Sequence, residues 1–195
     1  MTQQTLNNDQ LNDQIVSFED EPLILVDSDD NVLGYDSKAA CHDGDGLLHR
    51  AFSIFLFNSA GQLMLQKRST QKRLWPGYWS NSCCSHPRRG ESDQEAADRR
   101  IQEELAVAPA LTFLFRFEYQ ADFGEPGAEH ELCSIYAAKS DAQVSVNVNE
   151  VAEWKFIDVD ELDNELANNP DAYSPWLKLE WPRIREQHWE TIQNL

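Results

Sequence analysis

Ser92-Asp93-Gln94-Glu95-Ala96-Ala97-Asp98-Arg99-Arg100-Ile101-Gln102-Glu103-Glu104-Leu105-Ala106-Val107 is the stretch whose reading decides the fold. Ser92 followed three residues later by Glu95 forms a capping box, a reciprocal pair that satisfies two donors left open at a helix start. Beyond it Ala97, Ile101 and Leu105 fall on one stripe, so the spacing predicts a helix reaching Ala106 with an apolar face turned to a core. Just upstream runs Asn81-Ser82-Cys83-Cys84-Ser85-His86-Pro87. Positions i and i+2 of an extended segment point to the same side. Cys84 and His86 can therefore enter one cavity together, the thiol as a candidate acid and the imidazole as a candidate metal ligand.

Around this centre the rest of the chain reads as mostly strand. Residues 22–27 form a strand that returns through 32–34 after an Asp-rich turn. Residues 51–58 and 62–67 read as a hairpin about the turn signal Asn58-Ser59-Ala60-Gly61. Strands are also expected at 112–120, 131–138 and 151–158, with a weaker alternating run at 143–148. Short helical turns follow at 160–167, then a helical region from Ser174 in which Pro182 should break or kink the chain. Strands around one capped helix, with more helix at the end, indicate an α+β or α/β sandwich.

A chain of 195 residues fits one domain. We expect a polar, disordered tail over residues 1–20 and a single catalytic domain over 21–195. The tail lacks the basic and apolar regions of a secretory signal, so the expected location is cytoplasmic and Cys41, Cys83, Cys84 and Cys133 are expected as reduced thiols. The longest apolar run, 51–57, is far short of the roughly 20 residues that cross a bilayer. A formal charge of −18 argues against nucleic acid or an anionic membrane as partner. Yet eight of the sixteen Lys and Arg residues lie between positions 67 and 100, beside the cysteine motif. Cations concentrated around one cavity would attract a small anion; the bland alternative is a chance cluster on a solvated face.

His42, His49 and His86 occupy loop or strand-end positions, and Glu129 and Glu131 share one face of a strand start. Three imidazoles and two carboxylates would suit an octahedral divalent ion such as Mg²⁺, Mn²⁺ or Zn²⁺. The alternative is surface histidines beside an ordinary acidic edge.

Residues 85–107 resemble the signature of the Nudix superfamily, with Glu91, Arg99, Ile101, Glu103, Glu104 and Val107 at matching positions. Ser85 and Ala106 replace the two glycines of that signature, and Arg100 replaces the glutamate that follows its arginine. Together with Ser37-Lys38-Ala39-Ala40-Cys41-His42, Leu48-His49-Arg50, Trp75-Pro76-Gly77, the cysteine motif, Glu129-His130-Glu131 and Ser174-Pro175-Trp176, the pattern resembles the type I isopentenyl-diphosphate isomerases. The resemblance runs from about Leu25 to Trp181. It implies a Nudix-like α/β/α sandwich with a central mixed sheet. It further implies Cys84 and Glu131 as the acid–base pair, assisted by Tyr119, with Trp176 laid against a carbocation. By the same resemblance Lys38, Arg68, Lys72 and Arg100 contact a diphosphate. His42, His49, His86, Glu129 and Glu131 would hold Mn²⁺, Mg²⁺ or Zn²⁺, and Glu104 a second ion, Mg²⁺, brought with the diphosphate. The implied partner is a small prenyl diphosphate, taken by a monomer or homodimer.

The chemistry explains the residue types. An unactivated alkene is a feeble base, so an acid must add a proton at one carbon while a base removes one from another. A cation held over a desolvated ring gains on the order of 2 kcal/mol. A Nudix hydrolase of a nucleotide or prenyl diphosphate is the alternative that Glu103 and Glu104 suggest, and a non-catalytic metal-binding module is a third.

Overall fold

The computed structural model describes residues 13–195. Strand β3 (His49–Phe57) is its axis. It pairs in parallel with β8 (Ala128–Lys139) over nine residues, from His49↔Glu131 to Phe57↔Lys139. Its antiparallel neighbours are β6 (Cys83–Ser85), β4 (Leu63–Arg68) and β1 (Pro22–Val26), the last hairpinned to β2 (Val32–Ser37). β7 (Thr112–Asp122) flanks β8, while β5 (Trp79–Ser80) and β9 (Val151–Ile157) flank β4. The sheet is mixed, as expected.

β3 is apolar without alternation because both of its faces are covered. Phe52, Ile54 and Leu56 pack under α2 (Asp93–Leu105) with Ala97, Ile101 and Leu105. Ala51, Phe55 and Phe57 face Leu177, Trp181 and Ile184 of the C-terminal helical region. That region comprises α3 (Val159–Asn168), α4 (Pro175–Arg183) and α5 (Trp189–Gln193). Helices on both faces make an α/β/α sandwich.

Some expectations are revised. The run at 143–148 is not a strand: Val144 and Val146 pack against the α2 core, but Ser145 N and Asn147 N donate to Leu105 O and Glu104 O at the helix end. Pro182 does not break the helical region, but α4 passes directly after it into a π-helical turn, Ile184–His188, before α5, so the proline leaves an irregular helix and not an end. Of the tail expected over 1–20, residues 1–12 lie outside the described residues, whereas 13–20 lie against the body. There Val16 O accepts from Arg88 and Arg100, at 2.9 and 2.7 Å. Among the described residues no helix is long and apolar enough to cross a membrane.

Candidate active site

The parallel register of β3 and β8 builds the site, because it sets His49 directly beside Glu131 at the start of both strands. β6 brings His86 to the same end, and α1 (Lys38–His42) brings His42. Gly127 makes the last approach possible. Its φ is +126°, and a Cβ there would sit 1.9 Å from His42 O, so only glycine lets the β7–β8 turn close on α1.

Ligand atoms of His42, His49, His86, Glu129 and Glu131 all lie within 4.8 Å of one another, and all five residues are buried. His42 Nδ1 faces Lys38 O at 2.7 Å and His49 Nδ1 faces Leu47 O at 2.6 Å. A carbonyl can only accept, so each Nδ1 carries the proton; His49 Nε2 keeps its lone pair for the cluster, whereas His42 Nε2 faces Glu129 at 2.7 Å, and although burial opposes its charge that carboxylate raises the His42 pKa. Burial and the neighbouring His42 push His49 down to about 4, so at neutral pH its ring is neutral. Its buried Nε2 has no hydrogen-bond partner. Nitrogen and oxygen donors in this number, with an orphaned Nε2 among them, fit a divalent ion.

Glu131 joins the cluster to the cavity. Tyr119 Oη donates to its Oε2 at 2.7 Å, and His86 Nε2 lies 3.0 Å from its Oε1. Burial, then Glu129, raise its pKa well above the carboxylate range, against the Tyr119 hydrogen bond. Glu129 faces His42 at 2.7 Å; burial opposes its charge, but His42 outweighs burial and brings its pKa to about 2.

Cys84, Tyr119, Glu131 and Trp176 line one cavity of roughly 200 Å³, and Lys38, Arg68, Lys72 and Arg100 line it too. Burial pushes the Cys84 thiol up to about 12, although Arg68 opposes the shift, so the group is protonated at neutral pH. Arg68 Nη1 lies 3.8 Å from Cys84 Sγ, and its guanidinium sits 5.0 Å from the Trp176 ring. Arg68 is thus beside the thiol, held by Leu74 O and Trp75 O. Of the six expected metal ligands, Glu104 is outside the five-residue cluster and is ion-paired with Arg100. Much of the basic stretch is structural: Arg99 binds Glu91 through two hydrogen bonds, Arg88 pairs with Glu21 and Lys67 with Glu153.

Three contributions escaped the sequence reading. Ser80 and Asn81 accept from Trp176 Nε1 at 2.8 and 3.0 Å, while Asn81 Nδ2 donates to Cys83 O at 2.9 Å, tying the indole to the cysteine segment. Glu180 is fully buried and accepts from Ser53, the residue paired with Cys84 across β3 and β6. Glu150 lies between Lys72 and Arg100. Asn81 stood in the motif itself, and Glu180 follows Trp176 by one helical turn; for Glu150 no local signal existed. His188, half-buried beyond the site, stacks on Phe115 with ring centroids 4.9 Å apart.

The NUDIX domain model matches residues 47–178. Isopentenyl-diphosphate Delta-isomerase 1 of Photorhabdus laumondii is 38% identical, over 88% of this chain and 99% of its own length. The isopentenyl-diphosphate Delta-isomerase of Serratia proteamaculans is 45% identical, over 80% and 87%. The chain belongs to the isopentenyl-diphosphate Delta-isomerase family of the Nudix superfamily. Among solved structures, the Deinococcus radiodurans protein DR0079 superimposes with a TM-score of 0.70 at 26% identity, covering 84% of this chain and 98% of its own. Within this isomerase family member Glu103 and Glu104 of α2, and Glu91 just ahead of it, are ion-paired with Arg99 and Arg100.

Proposed function

We propose that this protein interconverts isopentenyl diphosphate and dimethylallyl diphosphate, with Cys84 and Glu131 exchanging protons with the substrate. The observation that carries this reading is the presence in one cavity of a thiol that burial keeps protonated and a carboxylate shared with a five-donor cluster. In the forward direction Cys84 Sγ gives its proton to the terminal methylene carbon, leaving a tertiary cation at C3. Glu131 then removes a proton from C2, and those electrons form the C2–C3 double bond. Cys84 ends as thiolate and Glu131 as acid; in reverse the roles exchange.

Tyr119 orients Glu131 through its 2.7 Å hydrogen bond, and the ring of Trp176, fixed by Ser80 and Asn81, is the face offered to the cation. An ion at the cluster, Mn²⁺, Mg²⁺ or Zn²⁺, supplies positive charge that favours ionised Glu131. Lys38, Lys72 and Arg100 would receive the diphosphate, and Glu104 would help hold the Mg²⁺ that accompanies it. Arg68 spans Cys84 and the substrate.

Incubation of metal-loaded protein with isopentenyl diphosphate in D₂O should give dimethylallyl diphosphate carrying deuterium. Neither product nor deuterium, from folded protein, would defeat the reading. Phosphate release instead would support a hydrolase.

A further inference from the structure

Three of the four cations expected at the diphosphate end already have anionic partners, while Arg68 is held by the Leu74 and Trp75 carbonyls. Lys38 lies 3.6 Å from Glu21, Lys72 is paired with Glu150, and Arg100 bridges Glu104 and, at 3.3 Å, Glu150. Arg100, Glu104 and Glu150 are all buried. Where the cations are so largely paired, a bare polyanion leaves part of its charge uncompensated in a place where desolvation makes that costly. A polyanion that carries a divalent cation does not.

Glu150 takes part in two of these pairs, and its position is built by the fold. Asn147, fully buried, donates through its backbone N to Glu104 O at 2.7 Å and through Nδ2 to Gln14 O at 2.8 Å. Glu150 N donates to Asn147 O at 3.0 Å, and Ser69 N donates to Glu150 O at 2.9 Å. Its backbone is thereby fastened to the end of α2 on one side and to the loop bearing Lys72 on the other. Burial opposes its charge, but Lys72 and Arg100 outweigh burial and hold its pKa below the ordinary value. The carboxylate is ionised between two cations.

We infer that Glu150 is a positioning and specificity-determining residue, an internal anion that holds Lys72 and Arg100 and makes the cavity favour a diphosphate accompanied by a divalent cation over the bare anion. This role rests on the diphosphate isomerase reading. Glu150 need not touch the reacting carbons. It sets the charge of the place where the diphosphate sits, so its effect belongs to binding.

Calorimetric titration of the full chain with inorganic pyrophosphate, with and without excess Mg²⁺, tests it. The unsubstituted protein should bind at least about tenfold tighter with Mg²⁺, and Glu150→Gln should bind bare pyrophosphate about tenfold tighter than before and lose most of that ratio. Glu150→Asp, which keeps the charge, should retain the ratio and guards against failure of the first variant to fold. An unchanged ratio in Glu150→Gln, parallel weakening in both conditions, or loss of the ratio in folded Glu150→Asp would overturn the role of Glu150, while D₂O exchange by the unsubstituted protein would still uphold the isomerase reading. Absence of pyrophosphate binding by the unsubstituted protein would overturn the inference and the diphosphate reading together.

Discussion

At Cys84 the thiol meets Arg68 on one side and the cavity on the other, while Cys83, one residue earlier, is sealed among Phe52, Ile54 and Met64. Cys84→Ala should therefore remove an acid and lower turnover by about 10²–10⁴-fold. Cys83→Ala should keep most of the turnover and lose on the order of 1 kcal/mol of stability through lost packing; deuterium incorporation and thermal melts separate the two. Glu180 yields a prediction in pH. Burial raises its pKa to about 8, even though Ser53 donates to it. An unfolded glutamate ionises near pH 4.5, so between about 4.5 and 8 the folded state binds the extra proton and stability falls as pH rises. Glu180→Gln should remove this slope and be the more stable form by a few kcal/mol at about pH 8; denaturant midpoints from pH 5 to 8.5 read it, and parallel curves would refute it. Cys84, the three histidines and the paired carboxylates were legible because their side chains are rare or regularly spaced. Asn81 and Glu180 were not, because their meaning comes from Trp176 and Ser53, which are distant in sequence.

Helix α2 shows what local signals convey. Its capping box forms as read, with Ser92 Oγ accepting from Glu95 N and Ser92 N donating to Glu95 Oε2 at 2.9 Å. Ser92→Ala should cost about 1 kcal/mol. At the other end Ala106 sits at φ 57°, in the left-handed region, where the Nudix signature has glycine. A Cβ in that conformation costs roughly 1–2 kcal/mol. Part is offset by the freedom glycine has in the unfolded chain, so Ala106→Gly should stabilise by about 0.5–1 kcal/mol. Opposite shifts in thermal midpoint for the two variants test both ends; a drop for Ala106→Gly would show that the strain is relieved elsewhere. The strands were readable for the same reason, since β3, β4, β7 and β9 carry their own patterns. The 143–148 run misled because alternation reports which side chains are buried, not what the backbone bonds to. Val144 and Val146 do face a core, but Ser145 N and Asn147 N cap helix carbonyls instead of a strand.

At the scale of the molecule, the five-donor cluster joins parts of the chain that are far apart in sequence: α1 through His42, β3 through His49, the end of β6 through His86, and β8 through Glu129 and Glu131. An ion held there closes several long loops at once, and the unfolded chain cannot present the same geometry. Binding to the folded state alone stabilises by RT ln(1 + [L]/Kd), about 2.7 kcal/mol at a hundredfold excess over Kd. For a domain of this size that corresponds to roughly 5–10 °C in thermal midpoint, at about 2–4 °C per kcal/mol. Mn²⁺ or Zn²⁺ should raise the midpoint by that order in a concentration-dependent way, and a chelator should reverse it. His49→Gln makes the test specific, because it removes the orphaned Nε2 while adding no charge. The variant should lose most of the ion-dependent shift. Its midpoint in chelator should fall only by what the lost Nδ1 hydrogen bond to Leu47 O contributes, about 1 kcal/mol, since the imidazole it replaces is neutral and its Nε2 has no hydrogen-bond partner. If the variant and the unsubstituted protein respond equally to added ion, stabilisation comes from other groups and the cluster is not a metal centre.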